Sequence, residues 1–360
     1  MRNISRIVAL PALRLTTLTL CALTVPALPA SAQVYPERVR SVSRTVAEKG
    51  YVERYQRGSQ HEAVDRSAKT FRLGATGDID LGNIAGDIVV TRGNGNEVTI
   101  EVIKTARART DEEANEALRL VQVSLAERAG RIEGRVEYPH REEVRKRNWR
   151  GVNVTVQYVV SAPERARLIL NSISGGVSVK DIKGDIAAET ISGDVRIANA
   201  GRLSKAKTVS GSVEITDTTL DGALDTSTIS GSMLLRNVKA RRLDVGSISG
   251  PVVVENVDCE RLDAQSMSGG VRFTGPLTRG GRYDIGSHAG EIQVIITGDV
   301  GFRLDASSFS GRIRSDLELK GTDPQPANNR RVREISGTYG DGSAFLDLST
   351  FSGSIVIGKK

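Results

Sequence analysis

The C-terminal half of the chain repeats one short phrase: an apolar residue, a small residue, Gly, any residue, then Val, Ile or Met. Its glycines are Gly175, Gly193, Gly211, Gly231, Gly250, Gly269, Gly290, Gly311 and Gly353, spaced 18, 18, 20, 19, 19, 21 and 21 residues apart, with one last gap of 42. A fixed period of about 20 residues is the mark of a solenoid, in which each repeat is one coil stacked on the last. Such a stack has long flat faces and short turns, with no deep pocket between them. One coil alone buries too little apolar surface to offset the entropy of ordering its chain, so the coils fold only together.

Each coil reads as two strands. Two and four residues after the glycine stand Val213 and Ile215, Met233 and Leu235, Val252 and Val254, Val271 and Phe273, the alternation of a half-buried strand. Seven and five residues before the next glycine stand Leu224 and Thr226, Leu243 and Val245, Leu262 and Ala264, Tyr283 and Ile285, Leu304 and Ala306, Leu346 and Leu348, a second strand of the same kind. A further apolar residue precedes the Ser-Gly step: Ile173, Ile191, Val209, Ile229, Ile248, Met267, Phe309 and Phe351. We assign it to the interior as another inward column, which makes His288, its counterpart in one coil, a packed core histidine. Three residues before the glycine runs a Ser/Thr column (Thr190, Thr208, Thr228, Ser247, Ser266, Ser287, Ser308, Thr350) that stacks hydroxyls at the corner. The glycine itself lets the chain take positive φ or lets the neighbouring coil come close. Leucine-rich repeats share the period, but their Leu-x-x-Leu-x-Leu spacing is missing, and helical repeats are excluded by the alternation in twos.

The chain opens with Arg2 and Arg6, an apolar stretch from Leu15 to Leu28, and Ala30-Ser31-Ala32 before Gln33. This is the pattern of a secretory signal peptide over residues 1–32, too short for a membrane span. Cys21 follows Leu20, where a lipoprotein site wants a small residue. Removing residues 1–32 takes three arginines and no acid from a net charge of +7, leaving +4, a balance that gives no reason to expect nucleic acid as partner. Cys259 is then the only thiol, so no intrachain disulfide forms; it reads as a small residue at a turn.

Residues 33–68 are polar and without period, a tether. Residues 69–165 form an N-terminal β-rich region with one short helix, started by Thr110-Asp111-Glu112-Glu113, and strands around Val121 to Leu125, Arg131 to Val136 and Val152 to Val160. Residues 166–360 are the repeat solenoid, interrupted by a loop at Lys320 to Arg331. The fold class is all-β: a β-solenoid of roughly 20-residue coils behind that β-rich region. Its last strand, Ser354 to Ile357, reads as an open edge guarded by Lys359 and Lys360, which predicts a monomer.

Between two N-terminal strands lies Pro139 to Arg150, with Arg141, Arg145, Lys146, Arg147, Trp149 and Arg150. Charge runs are usually solvated, so the first reading is a hairpin loop; the functional reading is an anionic-ligand patch with an aromatic anchor. A column of acids (Asp225, Asp244, Asp263, Asp284, Asp305, Asp347) stands six residues before each glycine, and Arg242, Arg261, Arg282 and Arg303 stand two residues before four of them. That spacing puts Arg and Asp on one outward face as ion-pair ladders rather than a calcium site. His61, His140 and His288 are far apart, and no nucleophile elbow, phosphate loop or His-Glu-x-x-His is present. The sequence names no catalytic, cofactor-binding or metal-binding residue.

Asn171-Ser172-Ile173-Ser174-Gly175-Gly176-Val177, Thr190-Ile191-Ser192-Gly193-Asp194-Val195 and Thr350-Phe351-Ser352-Gly353-Ser354-Ile355, with the variant Ile84-Ala85-Gly86-Asp87-Ile88, resemble the bacterial family of unknown function labelled "putative adhesin". The resemblance covers roughly residues 70–360 and implies no catalytic residues and no cofactor. It implies an exported, non-catalytic binding or scaffold protein of the cell envelope (periplasm, cell surface or secreted) whose partner is a glycan or protein ligand. Two other readings stay open: a polysaccharide-processing solenoid enzyme, and an envelope-stress or assembly factor that polymerises end to end.

Overall fold

Alternation of apolar and polar residues sends every second side chain inward, and two such strands per coil, facing each other, make a two-sided stack with the core between them. The computed structural model describes residues 61–147, 152–321 and 333–360 and contains that stack. One face is a parallel ladder running through Asp78–Ala85, Arg167–Ser174, Asp185–Ser192, Arg202–Ser210 and Ala223–Ser230. It continues through the C-terminal half of Met233–Ser247, then Asp258–Ser266 and Arg282–Ser287. The other face is the matching ladder that begins at Ile88–Arg92, Val177–Lys180 and Val195–Ala198. Met233–Ser247 is long enough to serve both faces. The columns Leu224, Leu243, Leu262 and Tyr283, and Val213, Met233, Val252 and Val271, are all buried.

The first coil is Asp78 to Arg92, which pairs directly with Arg167–Ser174 and Val177–Lys180. The repeat packing therefore runs unbroken across residue 165. Strand structure also begins earlier than the polar tether suggested: His61–Arg72 is already a strand, antiparallel to Glu97–Ala108. Both of its faces are exposed from Val64 to Thr70, which is why it showed no apolar period. The leader and the remainder of the tether lie outside the described residues.

Among the described residues two helices are present rather than one. Helix α1, Asp111–Leu120, starts where Thr110 accepts a hydrogen bond from the Glu113 N–H at 3.2 Å, and it buries Ala114, Ala117 and Leu118. Helix α2, Arg141–Lys146, occupies part of the expected hairpin loop. Its single apolar residue, Val144, gave no helical period to read.

The gap of 42 residues has a topological cause. The Gly353 coil does not follow the Gly311 coil; it inserts between it and the Gly290 coil. Ala344–Thr350 pairs on one side with Arg282–Ser287 and on the other with Phe302–Ser308. Ile355–Lys359 likewise lies between Ile292–Thr297 and Ile313–Ser315. The last strand is thus interior, and the expected open edge guarded by Lys359 and Lys360 does not exist. Lys359 instead pairs with Asp299 at 3.0 Å. This end of the stack is covered by Glu334–Tyr339, antiparallel to Phe302–Ser308. The opposite end carries the hairpin Gln122–Arg128 with Arg131–Glu137, and the antiparallel set Asn153–Ala162, Glu97–Ala108 and His61–Arg72.

The corner opposite the glycines is built by another column. Asp181, Asn199, Asp217, Asn237 and Asn256 all have φ between 52° and 61°, the left-handed region that Asn and Asp tolerate best among residues with a side chain. Their side chains bond from coil to coil: Asn199 to Asp181 at 2.7 Å, Asn237 to Asp217 at 2.7 Å and Asn256 to Asn237 at 2.8 Å.

Candidate functional site

The glycine corner carries the chain's most unusual surface. The coils approach so closely there that a Cβ on Gly250 would lie 1.7 Å from the Gly231 carbonyl oxygen, and one on Gly193 would lie 2.3 Å from that of Gly175. The corner glycines are a matter of coil-to-coil clearance, and the same contact recurs from Gly175 through Gly311. The Ser/Thr column points inward and satisfies these crowded carbonyls. Thr190, Thr208 and Thr228 donate to the carbonyls of Gly175, Gly193 and Gly211 at 2.9, 2.8 and 2.9 Å. In the later coils the hydroxyl does two jobs: Ser287 donates to the Gly269 carbonyl at 2.9 Å and accepts from the Gly290 N–H at 2.7 Å.

With that column inside, the next residue must face out. Ile173, Ile191, Val209, Ile229, Ile248, Met267, Phe309 and Phe351, expected in the core, stand on the surface with exposures of 42–65%, and Ile84 extends the column at 39%. His288 is exposed in the same column and is no core histidine. The correction follows from strand phase: positions seven, five and three before the glycine are inward, so position two is outward. Here the apolar character of the residue misled where its parity did not.

The result is an apolar ladder along one corner. In stacking order its ten rungs are Ile84, Ile173, Ile191, Val209, Ile229, Ile248, Met267, His288, Phe351 and Phe309. At about 4.8 Å per coil it is roughly 43 Å long. The last three rungs are stacked rings: His288 on Phe351 at 4.9 Å and 5°, and Phe351 on Phe309 at 4.7 Å and 6°. Beside the ladder runs a second exposed column, mostly serine: Ser174, Ser192, Ser210, Ser230, Ser249, Ser268, Ala289, Ser352 and Ser310. About half of each apolar side chain is open, roughly 800 Å² in all, more than the 300–600 Å² of an ordinary largest apolar patch.

The acid column lies on the outer face of the strand that leads into this corner, in register: Asp225, Asp244, Asp263 and Asp284, then Asp347 and Asp305. Of the four expected Arg–Asp pairs within a strand, Arg242–Asp244 closes, at 3.0 Å. Arginines stack above arginines as aspartates stack above aspartates, so each carboxylate sees both signs. Burial and Asp263 push Asp284 up in pKa, while Arg282 and Arg261 pull it down. Phe345 takes the arginine position in the inserted coil, so Asp347 is raised by burial and by Asp284 and Asp305, with Arg282 opposing. Among the described residues no three His, Cys, Asp or Glu side chains converge as metal ligands.

The remaining candidates are scattered. Arg147 pairs with Glu116 of α1 at 2.9 Å and Arg145 is exposed; Trp149 and Arg150 lie outside the described residues, as do the side chains of Arg141 and Lys146. His61 faces Asp111 at 3.0 Å, and His140 is exposed elsewhere. Cys259 lies in a strand and not at a turn, where burial pushes its thiol up to about 12, so it is an inert core residue. One buried polar group was not read from the sequence at all. Asp80, 5% exposed, is gripped by Arg131 and by Arg135 at 3.0 Å, and these hydrogen bonds outweigh its burial and hold its carboxyl below the ordinary range. Arg131 is the register partner of Asp78 and Asp80 that of Glu133, so Arg131 reaches Asp80 along a cross-strand diagonal, a relation invisible without the pairing.

Comparison with known proteins follows the fold. No curated protein matches the chain. Among solved structures, a "putative adhesin" from Bacteroides fragilis is 12% identical, with 81% of this chain and 97% of that one covered and a TM-score of 0.37. A "putative adhesin" from Parabacteroides distasonis is 9% identical (82% and 97% covered, TM-score 0.36), and a "putative lipid binding protein" from the same organism is 8% identical (82% and 97% covered, TM-score 0.31). Residues 76–358 match the family described as Toastrack DUF4097, a stretch that spans the whole coil stack, and the chain belongs to that family.

Proposed function

We propose that this is an exported, adhesin-like binding protein of the bacterial cell envelope that works without catalysis and holds a surface ligand, glycan or protein, on its apolar corner. The observation that carries the reading is the exposed ladder. A soluble protein keeps some 800 Å² of aligned apolar surface in water only at a cost in solubility, and such surfaces serve as contact sites. The ladder is also preorganised, because every rung between Ile84 and Phe309 has a paired coil on both sides, so binding freezes little further motion. No helix among the described residues is long and apolar enough to cross a membrane. Export rests on the leader pattern before Gln33.

The two other readings fare less well. A polysaccharide-processing solenoid needs a cleft built from long loops, and the turns between these coils are short. End-to-end polymerisation needs bare parallel edges at the ends of the stack; antiparallel strands cover both faces at one end and one face at the other, leaving only the three-residue edge Ile313–Ser315, too short for a filament contact. The test is an array of envelope glycans, cell-wall fragments and envelope proteins, this chain among them, probed with wild type and with the double variant Ile229→Glu/Ile248→Glu. Ladder-dependent retention on the array supports the reading; equal binding by both proteins contradicts it. Mass spectrometry of the exported protein should find Gln33 at its N-terminus.

A further inference from the structure

We infer that the partner of the apolar ladder is a second copy of this chain, docked corner to corner and antiparallel about a two-fold axis between Ile229 and Ile248. This rests on the reading of the ladder as a binding site and names its occupant.

Area is the first argument. A standard stable interface covers about 800 Å² on each partner, which is what the exposed rungs supply. Rungs repeating every ~4.8 Å are also the periodic surface that a second identical ladder fits, rung into gap, as facing sheets do in a dry zipper. A two-fold contact is self-complementary by construction, so one patch suffices for both partners.

Charge is the second. From the Gly231 coil to the Gly353 coil, the outward positions two before the ladder are Ser227, Gly246, Gln265, Gly286 and Ser349, none of them charged. In a chain that is 26% charged this half of the strip is neutral, and in the half it meets the same positions are Gly82, Asn171, Glu189 and Lys207, whose one acid and one base are register partners on adjacent coils, so two copies meet without net repulsion. An anionic lipid surface would call for a run of Lys or Arg beside the apolar rungs, whereas these positions hold a single base, Lys207, in register with Glu189. A glycan would stack on open ring faces, but here Phe351 is covered by a ring on each face, and His288 and Phe309 on one face each.

Shape sets the direction. The bulky rungs (Met267, His288, Phe351 and Phe309) occupy one end, and the β-branched rungs the other. Antiparallel docking lays bulky rungs against smaller ones and keeps the gap even, whereas parallel docking places Phe on Phe and forces that end apart. The antiparallel axis brings Ile84 of one copy beside Phe309 of the other, two positions that are roughly 43 Å apart within one chain.

Sedimentation velocity from about 1 to 100 µM tests self-association, with Ile229→Glu/Ile248→Glu as the interface variant. We expect a dimer for wild type and at least a tenfold weaker one for the variant, with the two melting alike at low concentration, where wild type is also monomeric, because both side chains point outward. An Ile84→Cys/Phe309→Cys variant, oxidised and mapped by peptide mass, should form 84-to-309 cross-links between chains. A dimer cross-linked 84-to-84 and 309-to-309 overturns the antiparallel arrangement. Monomer at every concentration overturns the inference. If that monomer still binds the glycan array through the ladder, or pellets with phosphatidylcholine vesicles, the binding-site reading survives with a different occupant; if it binds nothing, both fall.

Discussion

Replacing Gly250 by Ala places one methyl group where the structure has no room for it. The added Cβ would stand 1.7 Å from the Gly231 carbonyl oxygen and 2.4 Å from its carbon, so backbone rather than a flexible side chain must yield. A separation of about 3.4 Å is the least that a methyl group and a carbonyl oxygen tolerate comfortably, so the two coils must part by more than an ångström at that corner. Overpacking of this kind costs about 1–3 kcal/mol. The movement also stretches the bond from the Gly250 N–H to Ser247 at 3.0 Å and that from Ser266 to the Gly250 carbonyl at 3.1 Å, at about 1 kcal/mol each. The expected loss is about 3–5 kcal/mol. In a repeat protein the damage is felt most by the nearest coils. Thermal melting should drop by roughly 6–15 °C, and hydrogen exchange should quicken chiefly in the Gly231, Gly250 and Gly269 coils. Gly222→Ala is the control, because a Cβ there meets nothing within 4 Å. Equal melting of Gly250→Ala, Gly222→Ala and wild type would refute the clearance argument.

Three further outcomes follow from single side chains. Asp347 has a raised pKa, so the folded state takes up its proton more readily than the unfolded chain; its ionisation destabilises the fold as pH rises from the ordinary value of 3.8 through the raised one. Asp347→Asn should therefore raise the melting temperature at pH 7 by a degree or two, the face being open to solvent, and show no gain at pH 3; a loss at pH 7 would contradict this. The hydroxyl of Tyr158 is buried without a hydrogen-bond partner, so Tyr158→Phe should be neutral or stabilising by up to about 1 kcal/mol in a denaturant melt. Ser287→Ala strips the Gly269 carbonyl and the Gly290 N–H of their partner and should cost about 1–3 kcal/mol in the same assay.

The coil, its period and its inward columns were legible because they depend on alternation and spacing alone. Leu224, Leu243 and Leu262 lie inside as the pattern requires. The ladder was misassigned because an apolar side chain such as Ile229 was taken as sufficient reason for burial, although Thr228 beside it already occupied the inward phase. The Asp and Asn corner was equally readable: Asp181, Asn199, Asp217, Asn237 and Asn256 recur at 18, 18, 20 and 19 residues, in step with the glycines. Position in the stack was another matter. The sequence shows a gap of 42 but not that the chain skips a place at Gly311 and returns to fill it with Gly353, because that choice lies in long-range pairing. For the same reason the guarded edge at Lys359 and Lys360 has no counterpart in the folded chain.

Methionine oxidation tests the central claim most directly, since peroxide reaches a thioether in proportion to its exposure. Met267 is a rung of the ladder at 56% exposure, and Met233, in the inward column two strands away, is fully buried at 0%. Peptide mass spectrometry after timed peroxide treatment should find Met267 oxidised rapidly in dilute protein and more slowly as concentration closes the dimer, with Met233 protected throughout. Met267 reacting as slowly as Met233 at every concentration would mean that the column faces inward, and the binding site with it would be gone.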